Sequence, residues 1–475
     1  MSLFSISSIL LLSALSIISH AAPLGGKLIG RDTALLASYD FIIIGGGTSG
    51  LVVGNRLSEN PATSVLIIEA GELDQGEDFI YVPLLAGISN GAIGTKYDWN
   101  LTYSAQQAAD DREIAIPLGK VVGGGSCLNK MVFDIAGKVD YDQYFFAAMK
   151  FLGIRKVFDS LNGDANGALW NPQSLDPDTK TRSNSRTAYW NSASNRTNLH
   201  LLTRHQATKL ITHSSNGKVP IIGVEYATSS NSTKSTVLAN KEVILAAGAI
   251  HSPQLLQLSG IGEPSLLKKL GINTVVNLPG VGANFQDHPL LASVNNLNIA
   301  LSSNNLTSNS TYNAEMLALY RFNKTAKYAR KIINTPTFAP LSPVDIIPGP
   351  AVQSESDFET WIRSTISSTY HPSGTTSMMK RQLGGVVDSN FKVYGVRNLR
   401  VVDAGTFPMI QAAHLQATVR HIDFEAGEVE VCGDRLSIGI NVIEQVYSSC
   451  SRKMSKIKQL ITNHMMIGRE ENGKT

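Results

Sequence analysis

The sequence has few cysteines and no concentrated charge. Its 475 residues contain Cys127, Cys432 and Cys450, too few for a fold built on disulfides, although Cys432 and Cys450 could pair. The formal net charge is +3, and no dense basic run precedes residues 452–475. Nothing therefore indicates a nucleic-acid partner. Beyond the N-terminus, no apolar run is long enough to span a membrane, and the chain is typical of a globular protein with two intertwined domains.

The first residues have the features of a secretory signal peptide. Residues 4–18 are mostly apolar, and small residues favour cleavage near Ala21 or Ala22, giving a signal peptide over 1–21. No positive charge follows Met1, which departs from the usual pattern, and a buried N-terminal helix is the alternative. We predict a secreted, N-glycosylated protein, because the chain carries six acceptor sequons: Asn100, Asn195, Asn231, Asn305, Asn309 and Asn323.

A strand, a glycine turn, a helix and a second strand follow near the N-terminus. Residues 39–44 form a short apolar run that ends at Gly45-Gly46-Gly47, which predicts a buried strand entering a tight turn. We expect a helix from Thr48 to about Asn60 and a second buried strand at Val65–Ile68. This β-α-β order predicts a parallel pair with a right-handed crossover.

Other elements are predicted along the rest of the chain. We expect strands at Leu199–Leu210, Pro220–Tyr226, Glu242–Ala246 and Leu399–Val402. We expect helices at Ser265–Leu270 and Asp357–Ile366, one that starts with Ser252 as N-cap and Pro253 as its first residue, and one that starts at Ala412.

The turn after the first strand matches the glycine pattern of dinucleotide-binding proteins. Its three glycines permit the tight turn, the approach of backbone to a pyrophosphate, and close packing of the helix on the strand; they are Gly45, Gly47 and Gly50. The backbone at Thr48 and Ser49 then offers N–H donors to phosphate. Glu69, followed by Ala70, lies about 20 residues further on and can accept the ribose hydroxyls. A carboxylate there disfavours NADP, but the pattern does not separate FAD from NAD.

Two longer segments resemble the signatures of glucose–methanol–choline oxidoreductases. Residues Gly119–Val132 resemble the first signature, and Gly248–Gly262 match the second at its fixed positions. Phe285–Pro289 and Arg397–Ala404 also resemble the family, and the similarity extends from about Tyr39 to Val419. The resemblance implies an α/β (α+β overall) fold, in which a Rossmann-like FAD-binding domain is interleaved with a smaller antiparallel-sheet substrate domain.

The same resemblance implies a division of the chain into segments. The FAD-binding domain takes 38–150 and 199–288, with a connecting segment at 151–198, a shortened substrate domain at 289–366, an FAD-binding and catalytic part at 367–419 and a divergent tail at 420–475. The sequence departs from the family after Phe133, between His288 and His371, and after Val419. We expect these departures to leave the substrate pocket more open to water.

The family resemblance also implies which residues hold FAD. The first signature wraps the flavin with Val121, Asn129, Lys130, Met131 and Val132, and Asn129 lies near the isoalloxazine. Backbone around Ala207 would contact adenine, and Ala404, Leu415 and Gln416 would line the flavin; simple core packing is the alternative for Ala207 and Leu415. Leu128 stands where some members carry a linking histidine, so we predict non-covalent FAD.

Two histidines lie in motifs that resemble the family's catalytic pair. We predict that His371 is the base that takes the hydroxyl proton and that His414 hydrogen-bonds the substrate oxygen. His251 is expected to be structural, His288 receives no catalytic function, and Cys127 is expected to be a buried small residue. No metal site is predicted.

The resulting prediction is an FAD-dependent oxidoreductase that acts on an alcohol CH–OH group. The substrate would be a small primary, aryl or secondary-metabolite alcohol, and the electron acceptor oxygen or a quinone. A hydroxynitrile lyase of the same fold and an inactive truncated remnant are the alternatives, and an NAD enzyme is less favoured. The oligomeric state and the particular alcohol are left open.

Overall fold

The computed structural model describes most of the chain between residues 27 and 420. The described residues are 27–29, 35–83, 85, 91–131, 141–157, 167–169, 174–213, 217–296, 319–320, 330–411, 414–416 and 418–420. Several predictions lie outside them: the signal peptide, Val132, the helix start at Ala412, the cysteines Cys432 and Cys450, and the sequons at Asn305, Asn309 and Asn323.

Short strands and short helices make up the described residues. The strands are β1 Lys27–Ile29, β2 Ser38–Ile44, β3 Val65–Ile68, β4 Leu101–Gln106, β5 Arg112–Ile116, β6 Lys156–Val157, β7 Ala168–Leu169, β8 Leu199–Leu202, β9 Gln206–Thr212, β10 Val219–Ala227, β11 Ser235–Leu245, β12 Ile261–Gly262, β13 Val276–Asn277, β14 Pro289–Ala292, β15 Val294–Asn296, β16 Leu319–Tyr320, β17 Val344–Ile347, β18 Ser367–Ser368, β19 Val396–Arg397 and β20 Leu399–Val401. The α-helices are α1 Thr48–Leu57, α2 Asp78–Tyr81, α3 Gly125–Leu128, α4 Tyr141–Phe151, α5 Asn191–Ala193, α6 Gly248–Leu258, α7 Pro264–Lys269 and α8 Glu355–Thr365. Single turns of 3₁₀-helix lie at Gln107–Ala109, Ala339–Leu341, Arg381–Leu383 and Ala404–Thr406, and a π-helical turn lies at Arg186–Trp190.

A nine-stranded sheet forms the centre of the fold. Its main path runs β1-β8-β3-β2-β11-β10-β19, with β20 beside β11 and β9 beside β10. Strands β1, β8, β3, β2 and β11 are parallel to one another, whereas β10 is antiparallel to β11. Along β2, Ile42 and Ile44 pack into one core cluster while Phe41 and Ile43 pack into another. Both faces of the sheet are therefore buried, as expected for parallel strands.

The predicted β-α-β unit is confirmed. Strands β2 and β3 pair in parallel, with Ile44 opposite Ile68, and α1 begins at Thr48 as expected. The helix ends at Leu57, a few residues before the predicted end, because the Ser58 hydroxyl bonds to the Asn55 carbonyl and the N–H of Glu59 bonds to the Arg56 carbonyl instead. Gly54 lets the helix lie on the sheet, since a Cβ there would be 2.6 Å from Ile67 Cδ1.

The predicted strand at Leu199–Leu210 is wrong as one element, because it is two strands with different partners. β8 pairs in parallel with β3, whereas β9 pairs antiparallel with β10. Between them Arg204 has a φ of 58°, and the N–H of His205 bonds to the Glu69 carbonyl at 3.0 Å. The chain therefore leaves the sheet plane beside Glu69 before it starts the second strand.

The predicted start of a helix at Ser252-Pro253 is also wrong. Helix α6 begins at Gly248, whose N–H bonds to Asp403 Oδ2 at 3.0 Å. Pro253 inside the helix leaves the Ala249 carbonyl without its usual partner, and the Thr375 hydroxyl fills that place at 2.6 Å. Two distant side chains thus support an earlier start that local sequence does not reveal.

Smaller antiparallel sheets lie beside the central one. Strands β16, β14 and β18 form one, and β15 pairs with β17 in another. Pro289 of β14 lies opposite Ser368 of β18, so the residues just before β14 and just after β18 are neighbours. The mixture of a largely parallel sheet and these antiparallel pairs confirms the predicted fold class; the domain boundaries stay a prediction. Among the described residues, no helix combines the length and the apolar character that a bilayer crossing requires.

Candidate functional site

Two glycine turns from different parts of the chain touch each other at the end of β2. The N–H of Gly123 donates to the Gly46 carbonyl at 2.8 Å. A Cβ on Gly47 would lie 3.6 Å from the Gly124 Cα, and a Cβ on Gly124 would lie 2.7 Å from the Gly47 Cα. Gly45 has a φ of 104°, a conformation that glycine adopts without strain. The first signature is therefore packed directly on the dinucleotide turn.

The N-terminus of α1 is uncapped by side chains. Gly47 is its N-cap residue and makes no side-chain capping bond, and the first turn carries no acidic residue. Thr48 is half-buried and Ser49 is 4% exposed. The close approach of Gly50 to the strand is obligatory, since a Cβ there would be 1.8 Å from the Gly45 carbonyl oxygen. Uncapped N–H groups and the helix dipole together favour an anion at this end.

Glu69 lies beside this turn at the end of β3. Its Oε2 accepts the N–H of Gly46 at 2.6 Å, and its Oε1 accepts the N–H of Gly71 at 2.7 Å. Burial raises the pKa of the Glu69 carboxyl to about 7, against the lowering effect of these two bonds and of Lys120. A carboxylate oxygen has two lone-pair directions, so each oxygen retains capacity for a ribose hydroxyl. Ala70 next to it is half-buried.

We expect the stability of the cofactor-free protein to depend on pH through Glu69. Unfolded Glu69 loses its proton near pH 4.5, whereas the folded group keeps it up to about pH 7. Between these values the folded state binds more protons, so the free energy of unfolding falls as pH rises. Glu69→Gln should remove this part of the dependence. Urea unfolding at about pH 5 and about pH 7.5 measures it, with the exposed Glu113→Gln as control; equal slopes in wild type and Glu69→Gln would contradict the assignment.

Asn129 and Gln416 meet across the predicted flavin site. Asn129 Nδ2 donates to Gln416 Oε1 at 2.6 Å, although the residues are far apart in sequence. Gln416 Nε2 is buried and has no hydrogen-bond partner among the described residues. A buried amide donor without a partner is costly, so an acceptor on a bound group would be favourable there.

Arg182 is a residue of this site that the sequence analysis missed. It is 2% exposed, and its guanidinium donates to the Ile80 carbonyl, the Ser126 carbonyl and Asn129 Oδ1. Burial lowers its pKa to about 10, so it stays cationic at neutral pH. The arginine orients the Asn129 amide so that its nitrogen faces Gln416. No motif surrounds position 182, so only the fold identifies it.

The other residues that the sequence analysis assigned to the cofactor lie in several parts of the fold. Val121 is fully buried and pairs with Glu72, Met131 is buried with a φ of 46°, and Lys130 is exposed. Ala207 lies on β9 opposite Tyr226, just after the segment that bonds to Glu69. The residue for which an adenine contact is predicted therefore lies two positions after the backbone bond to Glu69.

Ala404 and Leu415 each lie beside one of the two histidine motifs. The Ala404 carbonyl accepts the N–H of Gly374 at 3.2 Å, close to the His371 motif. Leu415 is 5% exposed and packs with Phe407 and Val419. Leu415 therefore has a core contact in addition to any contact with a flavin.

Three histidines form one cluster. The His371 and His414 rings are 5.4 Å apart and nearly perpendicular, at 88°. The His288 and His371 rings are 5.2 Å apart, and their Nδ1 atoms are 2.9 Å apart. The predicted pair is thus brought together by the fold. His288, to which the sequence analysis gave no function, hydrogen-bonds the predicted base.

Asp287 holds the backbone of two of these histidines. Its Oδ1 accepts the N–H of His288 at 2.6 Å and the N–H of His371 at 2.9 Å. Its Oδ2 accepts the Tyr103 hydroxyl at 2.5 Å and the Ser368 hydroxyl. Burial and the neighbouring carboxylate raise the pKa of Tyr103, so the phenol stays a donor. One carboxylate therefore orders both histidine-bearing turns.

His251 packs on an aromatic ring, and Cys127 is buried as expected. The His251 ring stacks on Trp99 at 4.4 Å, and burial together with Lys120 lowers its pKa to about 4. Cys127 is fully buried, and burial raises the pKa of its thiol to about 12. Burial keeps the thiol protonated and so a poor nucleophile, and the stacking on Trp99 is consistent with the predicted structural role of His251.

The residues present fit a flavin dinucleotide. The uncapped end of α1 with its glycine contact suits a diphosphate, and Glu69 suits the ribose beside it. The unpartnered Gln416 Nε2 suits a polar ring edge, and His414 of the histidine cluster is two residues away in sequence. These features therefore suit the diphosphate, ribose and ring parts of FAD.

Comparison with known protein families agrees with this arrangement. Two family models described as GMC oxidoreductase match the chain, one over residues 138–290 and the other over residues 298–422. Among curated proteins, the GMC oxidoreductase family protein Mala s 12 of Malassezia sympodialis is 30% identical, over 80% of this chain and 90% of the relative. Dehydrogenase xptC of Emericella nidulans is 26% identical, over 84% of this chain and 93% of its own length.

Solved structures share the fold. An FAD-dependent oxidoreductase from Chaetomium thermophilum superposes with a TM-score of 0.74 at 25% identity, over 82% of this chain and 99% of that one. A fungal aryl-alcohol oxidase superposes with a TM-score of 0.69 at 22% identity, over 83% and 99%. The alignment to the Malassezia protein spans 559 positions, more than the 475 residues of this chain, so the relative carries residues that this chain lacks.

Proposed function

Because the chain belongs to the GMC oxidoreductase family, we propose that it oxidises the CH–OH group of an alcohol, with FAD held between the glycine turns and the histidine cluster. Relatives include an alcohol dehydrogenase of Pseudomonas putida and a pyranose dehydrogenase of Leucoagaricus meleagris. A small primary or aryl alcohol is the proposed substrate class, with oxygen or a quinone as the electron acceptor.

One observation carries the proposal. The Asn129–Gln416 hydrogen bond joins the segment packed on the dinucleotide turn to the segment that carries His414. The His414 ring in turn meets the His371 ring at 5.4 Å. The folded chain therefore connects a site for the cofactor with two imidazoles, which can accept a hydroxyl proton and hydrogen-bond the alcohol oxygen.

Each side chain has a separate part in the proposed reaction. FAD, when bound, supplies a two-electron acceptor for the hydride that leaves carbon. His371 takes the hydroxyl proton as general base, and His414 hydrogen-bonds the alcohol oxygen and fixes its position. Asp287 keeps the His371 backbone in place, and Arg182 keeps the Asn129 amide turned toward Gln416.

Anaerobic mixing with alcohols tests this function. We expect the flavin absorbance of the purified yellow protein to bleach in a stopped-flow instrument when a primary or aryl alcohol is added. Reoxidation by oxygen, compared with reoxidation by a quinone, then identifies the acceptor. A protein that releases aldehyde from a cyanohydrin without bleaching would be a lyase, and a protein that stays colourless with excess FAD would refute the enzyme assignment.

We further propose that FAD is bound without a covalent link. Leu128 is 7% exposed and packs with Ile80 and Tyr97, and its side chain has no atom that could attack a flavin. We therefore expect acid precipitation to release all the flavin into the supernatant. Yellow colour that stays with the washed pellet would contradict this expectation.

Secretion is part of the proposal as well. The sequons at Asn100, Asn195 and Asn231 lie at exposed positions, which suits attached glycans. A secreted chain should lose mass on treatment with a glycosidase that removes N-linked glycans, and an unchanged mass would oppose this part of the proposal.

A further inference from the structure

The contact between His288 and His371 restricts where the protons on their rings can be. Their Nδ1 atoms are 2.9 Å apart, which is a hydrogen-bond distance. A hydrogen bond between two ring nitrogens contains one proton, so one Nδ1 donates and the other accepts. His288 is 5% exposed, so water has little access to compete for this contact.

The proposed reaction decides the direction of this bond. An imidazole has two nitrogens, and Nδ1 of His371 is engaged by His288, which leaves Nε2 to take the substrate proton. A base must present an unprotonated nitrogen to the substrate, so the proton of neutral His371 is on Nδ1. His371 Nδ1–H therefore donates to Nδ1 of His288, which accepts as the Nε2–H tautomer.

We propose that His288 is a positioning residue that holds His371 in the tautomer whose Nε2 accepts the proton. The proposal rests on the proposed function and adds a residue to it. The effect continues after proton transfer, because His371 then carries a positive charge and its bond to an accepting Nδ1 becomes charge-assisted. The logic is that of a catalytic triad, with a neutral imidazole where the triad has a carboxylate.

The surroundings of His288 keep the acceptor fixed. Its backbone carbonyl accepts the N–H of Thr369 at 2.8 Å and the Thr369 hydroxyl at 2.7 Å. Asp287 Oδ1 binds the backbone N–H of both histidines, and Pro289 lies opposite Ser368 in the sheet. The two rings therefore belong to two turns that are joined at several points, so their relative position is well defined.

Two substitutions separate positioning from simple packing. In His288→Asn, the side-chain oxygen is bonded to Cγ as Nδ1 is in histidine, so an acceptor remains near the same place. In His288→Leu, the branched apolar side chain fills the space but offers no acceptor. If His288 only fills space, both variants should behave alike. If it orients His371, the His288→Asn variant should keep the reaction rate that the His288→Leu variant loses.

The first measurement is the rate of flavin reduction in the FAD-loaded protein under anaerobic conditions. We expect His288→Leu to lower the limiting reduction rate about a hundredfold, within the range of general-base contributions, with little change in the alcohol concentration at half-saturation. We expect His288→Asn to remain within about tenfold of wild type. A His288→Leu protein that reduces at the wild-type rate would overturn the proposal.

The second measurement does not depend on turnover. Nitrogen-15 NMR of the imidazole rings distinguishes Nδ1–H from Nε2–H, and the His371 signals are those missing from His371→Ala. We expect an Nδ1–H tautomer for His371 in wild type and in His288→Asn, and its loss in His288→Leu. An Nε2–H tautomer in wild type would refute the proposal even if the enzyme is active. If no alcohol bleaches the wild-type flavin, the proposed function fails while this measurement still decides the hydrogen bond.

Discussion

Replacement of His371 by alanine should stop flavin reduction by alcohol while leaving FAD bound. The imidazole is the only proposed acceptor for the hydroxyl proton, and it lies between His288, at 2.9 Å between Nδ1 atoms, and the His414 ring, at 5.4 Å. A positioned base contributes about a hundredfold to ten-thousandfold to such a step, so we expect a loss in that range. The glycine turns and Glu69 are untouched by the change, which is why the cofactor should stay.

The absorbance spectrum and a stopped-flow trace check both halves of this expectation. The spectrum of the purified variant reports the bound flavin, and anaerobic mixing with alcohol reports its reduction. His213→Ala is a suitable control, because it removes an exposed imidazole at the end of β9. A His371→Ala protein that reduces flavin near the wild-type rate would remove the base assignment, while one that has lost FAD would show a structural role for the ring.

Replacement of Gly47 by valine should remove FAD. A Cβ at this position lies 3.6 Å from the Gly124 Cα, an ordinary contact, but the two γ-carbons of valine extend about 1.5 Å further. They would separate the two glycine turns and cover the N–H groups at the start of α1. Loss of two charge-assisted hydrogen bonds to phosphate weakens binding by at least about a hundredfold, so the protein should purify without colour.

Two variants with side chains of different size show whether the loss of FAD comes from a blocked cofactor site or from a disrupted fold. Gly47→Ala adds only the Cβ, which the chain accommodates, so its thermal unfolding without FAD should match wild type. Titration with FAD, monitored by quenching of flavin fluorescence, should then show weaker binding for Gly47→Ala and no binding for Gly47→Val. A fully yellow Gly47→Val protein would mean that the diphosphate lies elsewhere.

Much of the cofactor half of the molecule could be predicted because its information is local. The apolar run before Gly45 specifies a buried strand, and the glycines with Thr48 specify a turn and a helix start within a few residues. The predicted strand at Val65–Ile68 has the observed bounds, and its position beside β2 follows from the crossover rule. Motif resemblance points to the two histidines of the proposed catalytic pair, and the fold brings their rings together.

Other features depend on contacts between residues far apart in the chain. His288 and His371 are 83 residues apart, and Arg182 and Asn129 are 53 apart, so no local pattern connects them. A buried arginine or histidine looks like any other in the sequence, because its role comes from the partners that the fold places around it. Local sequence therefore gives no reason to connect His288 or Arg182 with the site.

The amino-acid order alone determined the type and order of the early elements, the dinucleotide turn and the family signatures. Each of these features involves residues that are close together in the chain. The start of α6 at Gly248 and the break between β8 and β9 were decided by Asp403, Thr375 and Glu69, which approach from elsewhere. Hydrogen-bond partners for buried polar groups are found in space, and so the pairing of the histidines and the orientation of Asn129 exist only in the folded chain.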